Sequence, residues 1–272
     1  MKSPVRRRSA LSASGAPLLL LASGLLLASS QPAAAKEWVA TVGGRVTSSP
    51  PYEGAAKYRV RASPTLAIRA ADRPYRFSPS DGGASIALID TDHFSAGPIV
   101  RFRYKREAIQ KLAGLREIKW AAEPGGFVEV WPTQWLRGRA ELRHGVGGHH
   151  GVVAELGGDL IYTGAGRWDV SIGPRLGWGD QKYLRRYFGV NAAEAAASPL
   201  VARPYEPTAG RRYTGVEVAS AYHLTPAWAV KGAVGYRSLA DKAAASPVVQ
   251  VAGKSSQILA SVGVSYSFGM RL

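Results

Sequence analysis

The chain has 272 residues, 35 Lys and Arg against 19 Asp and Glu, and no cysteine. The missing cysteines exclude a disulfide framework, so a large core or a closed sheet must hold the fold. A mean hydropathy of −0.08 with 31 glycines and 12 tyrosines fits a chain that is half lipid-facing and half wet. The formal charge of +16 does not point to nucleic acid, because no basic patch interleaved with aromatics stands outside the strand pattern described below.

The first 35 residues read as an export signal. Lys2, Arg6, Arg7 and Arg8 form a basic start, Leu18 to Leu27 an apolar run, and Ala33-Ala34-Ala35 a small-residue cleavage site. The apolar run is shorter than the roughly 20 residues that a spanning helix needs. Cleavage after Ala35 leaves a domain of residues 36–272. Its formal charge is +12, since the leader holds four bases and no acid.

From Trp38 onward the pattern has a period of two, and the apolar set falls on even numbers. Trp38, Ala40, Val42 and Val46 oppose Thr41 and Arg45; Val60, Ala62, Leu66 and Ile68 oppose Arg59, Arg61 and Arg69. Residues 75–90 read as a short hairpin turning at Asp81-Gly82, with Ile86 and Leu88 on the even face. Further on, Ala96, Val100, Phe102 and Tyr104 oppose Arg101 and Arg103. Ile118, Trp120, Val128 and Val130 oppose Glu123 and Glu129, with Phe127 and Trp131 breaking the alternation. Leu136, Ala140 and Leu142 oppose Arg137, Arg139, Glu141 and Arg143, and the runs 152–162, 167–178, 216–224, 228–237 and 257–272 repeat the scheme. Segments of about ten residues with charges in the middle of one face suit tilted strands crossing hydrocarbon.

Short connections at 70–74, 91–94, 132–134, 163–166 and Thr225-Pro226 alternate with longer ones at 48–57, 105–116, 144–151, 179–213 and 238–256. Trp38, Tyr162, Trp168, Tyr222, Trp228, Tyr266 and Phe268 gather at the short-turn or terminal ends, as an interfacial girdle would. The expected fold is therefore all-β: a transmembrane antiparallel up-and-down β-barrel of twelve strands, with ten as the alternative. Its short turns would be periplasmic and its long loops external, and outer-membrane lipid would surround it. Within the longest loop, Asn191 to Ser198 reads as a short helix capped by Asn191 and stopped by Pro199.

The inward face is basic. Arg59, Arg61, Arg69, Arg101, Arg103, Arg137, Arg139, Arg143, Arg167, Arg175, Lys231 and Arg237 outnumber Glu123, Glu129, Glu141, Glu155, Asp159, Asp169 and Glu217. Two readings stand: a lumen that concentrates anions, or interleaved Arg–carboxylate ladders that fill a closed interior. His144, His149 and His150 lie in a glycine-rich segment whose expected state is a solvent-exposed turn, not a metal site. No serine is placed with both a base and an orienting acid, although His93 stands beside Asp92 and Ser95, so neither catalysis nor a cofactor is expected.

Several blocks then carry a resemblance. They are Ser49-Pro50-Pro51-Tyr52-Glu53-Gly54, Phe94-Ser95-Ala96-Gly97-Pro98, Gly147-Gly148-His149-His150-Gly151, Ser171-Ile172-Gly173-Pro174, Tyr187-Phe188-Gly189-Val190-Asn191 with the alanine-rich run after it, and the closing Ser265-Tyr266-Ser267-Phe268. In this order they resemble the MipA/OmpV family of MltA-interacting outer-membrane proteins. The resemblance implies a Gram-negative outer-membrane barrel without catalytic residues. It also implies a scaffold role, joining a murein lytic transglycosylase to a bifunctional penicillin-binding protein. A narrow anion-leaning channel gated by loop 179–213 is the alternative. Gly269-Met270-Arg271-Leu272 runs past the phenylalanine on which the barrel assembly machinery's substrates usually end.

Overall fold

The structure is a computed structural model that describes residues 37–73, 75–77, 79, 84–164 and 166–271. The expected leader, the Asp81-Gly82 turn and Leu272 lie outside the described residues.

One antiparallel sheet dominates. Its long strands are β1 (Glu37–Ser49), β2 (Arg59–Ala70), β5 (Phe94–Arg103), β6 (Ala121–Thr133), β7 (Leu136–His144), β9 (Val152–Thr163), β10 (Trp168–Gly179), β11 (Gly210–His223), β12 (Trp228–Leu239) and β13 (Ser256–Arg271). Two-residue pieces, β3 (Ala84–Ser85) and β4 (Ile89–Asp90), pair with β5, and β8 (Val146–Gly147) pairs with β6. The hydrogen-bonded order is β2-β1-β13-β12-β11-β10-β9-β7-β6-β5-β3, a meander that joins first strand to last. That junction runs from Glu37↔Arg271 to Ser48↔Ala260.

Among the described residues no ladder joins β2 to β3, so the barrel is nearly closed. Side chains bridge this seam at both ends. Arg59 meets Glu107 at 3.7 Å and Arg61 lies over the Tyr104 ring at one end, and Arg73 meets Asp92 at 3.1 Å at the other. The strand count is consistent with twelve. Residues 84–90 form one interrupted crossing, with Ile86 and Leu88 donating to Pro98 and Ala96 carbonyls. Before it, the described residues 75–77 and 79 form no strand. Phe77 is buried against Trp131, Ile161, Ala219 and Ala221, inside the barrel.

The parity of the sequence maps onto the wall. Val60, Leu66, Ile68, Phe102, Val128, Leu142, Leu156, Leu160, Ile172, Val218, Val234 and Val262 are all exposed, and all are even-numbered. Phe127 and Trp131 turn inward, where Arg139 covers the Phe127 ring at 4.2 Å and Trp131 Nε1 donates to Glu129 at 2.8 Å. A girdle forms at the short-turn end, with Trp168 against Tyr222 at 4.8 Å and Trp228 against Tyr266 at 4.9 Å. No described helix is long and apolar enough to cross a membrane.

The long loops hold a second layer. Helix α1 (Gln181–Phe188) is capped by Asp180, which accepts from Tyr183 N at 2.8 Å. Its Tyr183, Leu184, Tyr187 and Phe188 recur on one face and are buried. Helix α2 (Ala192–Ala197) matches the expected one, and Asn191 and Glu194 complete a capping box. Two further helices, α3 (Asp241–Ala244) and α4 (Pro247–Ala252), arise where a loop was expected; Ser246 caps α4 with Pro247 at its first turn. Ile118 is a correction to the parity rule. It precedes β6, pairs with Arg106, and is wholly buried against α1 instead of facing lipid. Leu239, Ala243, Val249 and Val153 join the same apolar core, which lies across the long-loop end.

Candidate functional site

Among the described residues, charged side chains meet most densely in the lumen. Strand alternation sends Glu123, Glu141 and Glu155 inward at one level, and Arg101, Arg103 and Arg143 meet them there. Arg101 binds Glu141 through two nitrogens at 2.9 and 2.7 Å. Buried Arg143 touches Glu123 at 3.2 Å and Glu155 at 2.9 Å, and also bonds Glu141. A second level lies toward the short turns. Arg137 joins Glu129 and Asp159 at 2.7 Å each, Arg139 joins Glu129 and Glu141 at 2.9 Å, and Arg175 joins Asp159 at 2.7 Å and Glu217 at 3.2 Å. Charges paired this densely in a desolvated interior hold one another in place; removing one partner strands the rest.

Of the other predicted lumen residues, Arg237 lies near Glu53 and Glu155 of the upper level, and the rest stand apart. Arg59 is exposed at the outer end of β2, and Arg167 is exposed in the turn before β10. Arg61 stacks on Tyr104 and donates to Ser49 Oγ at 3.1 Å, and Arg69 caps the Arg73 carbonyl at 2.9 Å. Lys231 is half-buried near Arg45 and Asp169, and Arg237 lies over the Tyr213 ring at 4.4 Å.

Two residues that parity reasoning missed complete the upper level. Glu53, from the β1–β2 loop, reaches Arg103 at 3.2 Å, bonds Arg212, and accepts from Tyr183 Oη at 3.0 Å. Burial pushes its carboxyl upward, but the guanidinium groups of Arg212 and Arg103 outweigh this and hold it below the usual carboxylate range. Arg212 is even-numbered and falls in a predicted loop, yet it is fully buried. The register of β10 with β11 slips here, Gly177 pairing with Tyr213 and Trp178 with Arg211. This bulge turns both Arg212 and Tyr213 inward. Its only sequence signal is the Arg211-Arg212-Tyr213 run itself.

His149 corrects the expectation of a solvent-exposed turn. It is buried, its Nε2 bonds Glu123 Oε1 at 2.9 Å, and its Nδ1 accepts from Gly151 N at 3.2 Å. Because Nδ1 accepts, Nε2 is the donor, and the imidazole sits beneath Tyr183 and Tyr187 as part of the plug. His144 and His150 are exposed. At the opposite end Tyr75 Oη donates to Asp169 at 3.0 Å, and His223 Nε2 bonds the same oxygen at 2.7 Å. His93 bonds the Trp131 carbonyl and Ser95 donates to Asp90, so these two engage other partners and not each other.

The chain is also similar in fold to solved outer-membrane barrels. An outer membrane channel from Pseudomonas putida F1 is 9% identical with a TM-score of 0.43, covering 86% of this chain and 96% of that one. The NanC porin is 12% identical with a TM-score of 0.38, covering 84% and 98%. The outer membrane protease OmpT from Escherichia coli is 10% identical with a TM-score of 0.32, covering 86% and 96%. Comparison with curated protein sequences gives no match. The family model described as MltA-interacting protein MipA matches residues 42–268, most of the chain, and the protein therefore belongs to the MipA family of outer-membrane β-barrels.

Proposed function

We propose that this barrel is a non-catalytic scaffold of the outer membrane that brings cell-wall enzymes together. The expected partners are a murein lytic transglycosylase and a bifunctional penicillin-binding protein. The family's description names an interaction with MltA, and the carrying observation within the chain is that side chains cross the lumen at both ends and in the middle. Helix α1 and its apolar core lie across one end, ion pairs occupy the middle, and Phe77 with Trp131 fills the other. A lumen so obstructed leaves the outer wall and the short-turn rim as the working surfaces. The rim is narrow against the roughly 800 Å² that a stable interface uses per partner, so the lipid-adjacent wall has to contribute.

In this reading residues 1–35 are removed on export, and the assembly machinery recognises the β13 strand. Affinity capture from crosslinked envelopes is expected to return murein enzymes. Planar-bilayer recording is expected to show no discrete conductance. Anion-selective steps without captured murein enzymes would replace the scaffold by the channel gated through loop 179–213, with Arg101, Arg103, Arg137, Arg139, Arg143 and Arg175 as its lining.

A further inference from the structure

Where β2 begins and β5 ends, exposed cations gather around one carboxylate. Glu107 accepts from Lys105 at 2.7 Å and lies 3.7 Å from Arg59, whose side chains are 61% and 58% exposed. Lys57 Nζ donates to Gln110 Oε1 at 2.9 Å, beside exposed Lys111. Arg61 lies 3.9 Å from the Tyr104 ring, and its shielded Nη2 has no hydrogen-bond partner among the described residues. Directly below, the outer wall is apolar: Val60, Leu66 and Phe102 are 72%, 70% and 63% exposed. Tyr58 and Tyr104, also exposed, mark the depth at which an aromatic belt meets lipid headgroups.

We propose that this patch is a binding site for a phosphorylated glycolipid of the leaflet at the long-loop end. The phosphate would sit among Lys57, Arg59 and Lys105, with acyl chains along Val60, Leu66 and Phe102. Cations alone would serve any anion, and an apolar wall alone any lipid. Stacked at interfacial depth, they select an anionic headgroup that carries acyl chains. The exposed Lys57, Arg59 and Lys105 supply the complementary charge for the phosphate. The inference requires the long loops to face outward but not the scaffold role.

Native mass spectrometry on the full mature barrel, reconstituted in phosphatidylcholine with bis-phosphorylated lipid A or its dephosphorylated form, tests the site. The wild type is expected to retain the phosphorylated form. The variant Lys57→Gln/Arg59→Gln/Lys105→Gln is expected to retain it at least about tenfold less, since each cation near an anionic surface is worth about fivefold. The control Lys182→Gln/Arg185→Gln/Arg203→Gln, with the same charge change elsewhere on the loops, is expected to match wild type. Heat-modifiable gel mobility checks folding, and if the triple variant fails that check, Lys105→Gln alone carries the test at about fivefold. Equal retention by wild type and variant, equal loss in the control, equal retention of the dephosphorylated form, or displacement by millimolar inorganic phosphate would overturn the proposal. Capture of murein enzymes by the same variants, unchanged while lipid A is lost, separates this site from the scaffold.

Discussion

The two ends of the lumen are closed by different means. At the long-loop end a layer of short helices buries Tyr183, Leu184, Tyr187 and Phe188 over a buried ionic level centred on Glu53, Arg212, Glu123 and Arg143. At the short-turn end a single strip of chain inserts Phe77 beside Trp131 and ties Tyr75 to Asp169. The first closure is cooperative, because Glu53, Glu123 and Arg143 each hold several partners. The second hangs on a few contacts, so local opening should occur there at lower free energy. A protein built as a conduit would be expected to concentrate mobility where its permeant species enters. Here the thicker closure faces the long loops and the thinner one faces the proposed partners.

Removing Arg143 should break the thicker closure most severely. Arg143→Ala leaves Glu123, Glu141 and Glu155 short of a partner, and a cost of about 3–5 kcal/mol is expected in urea unfolding followed by gel mobility. Phe77→Ala is expected to cost about 3 kcal/mol, confined to the thin end. Its signature is rapid proteolysis near residues 71–80 while the barrel stays folded; unfolding of the whole sheet would show that the ends are not independent. Acid should act on the helical layer first. Burial raises the Glu194 carboxyl, but hydrogen bonds from Arg116 and from the Asn191 and Arg116 amides lower it to about 2. Its stabilising contribution is thus complete above the usual carboxylate value of about 4.3 and is lost as pH falls toward 2. Amide exchange across α2 between pH 5 and 2 should rise in wild type, and Glu194→Gln should flatten the profile. The smallest effect expected is from His223→Ala, about 1 kcal/mol, since Tyr75 still holds Asp169.

The lipid-facing half of this molecule was readable from parity alone. Residues such as Leu66, Leu156 and Val262 lie where even numbering places them, because a strand alternates without exception until its register slips. The Asn191 helix was readable for the same local reason, a cap and a stop. Apart from the breaks at Phe127 and Trp131, what escaped were the features that depend on a departure from the period. Arg212 is buried because a bulge offsets β11, Glu53 because a loop folds back over the mouth, and Phe77 because its segment enters the lumen instead of joining the wall. Helices α1, α3 and α4 are too short for their periodicity to stand out. The basic excess on the inward face was visible, but its partners were not, since pairing depends on which strands lie opposite across the interior.

Glu53 illustrates what that cross-lumen pairing does. Its carboxylate bonds Arg103 on β5 and Arg212 on β11, and it descends from the connection between β1 and β2. The seam side of the circumference, where β2 and β5 come together, is therefore pinned to β11 across the lumen. A cylinder braced across its chords resists being squeezed into an ellipse, so a push against the external loops would travel to the opposite rim as a tilt or shift of the entire body, with the bore unchanged.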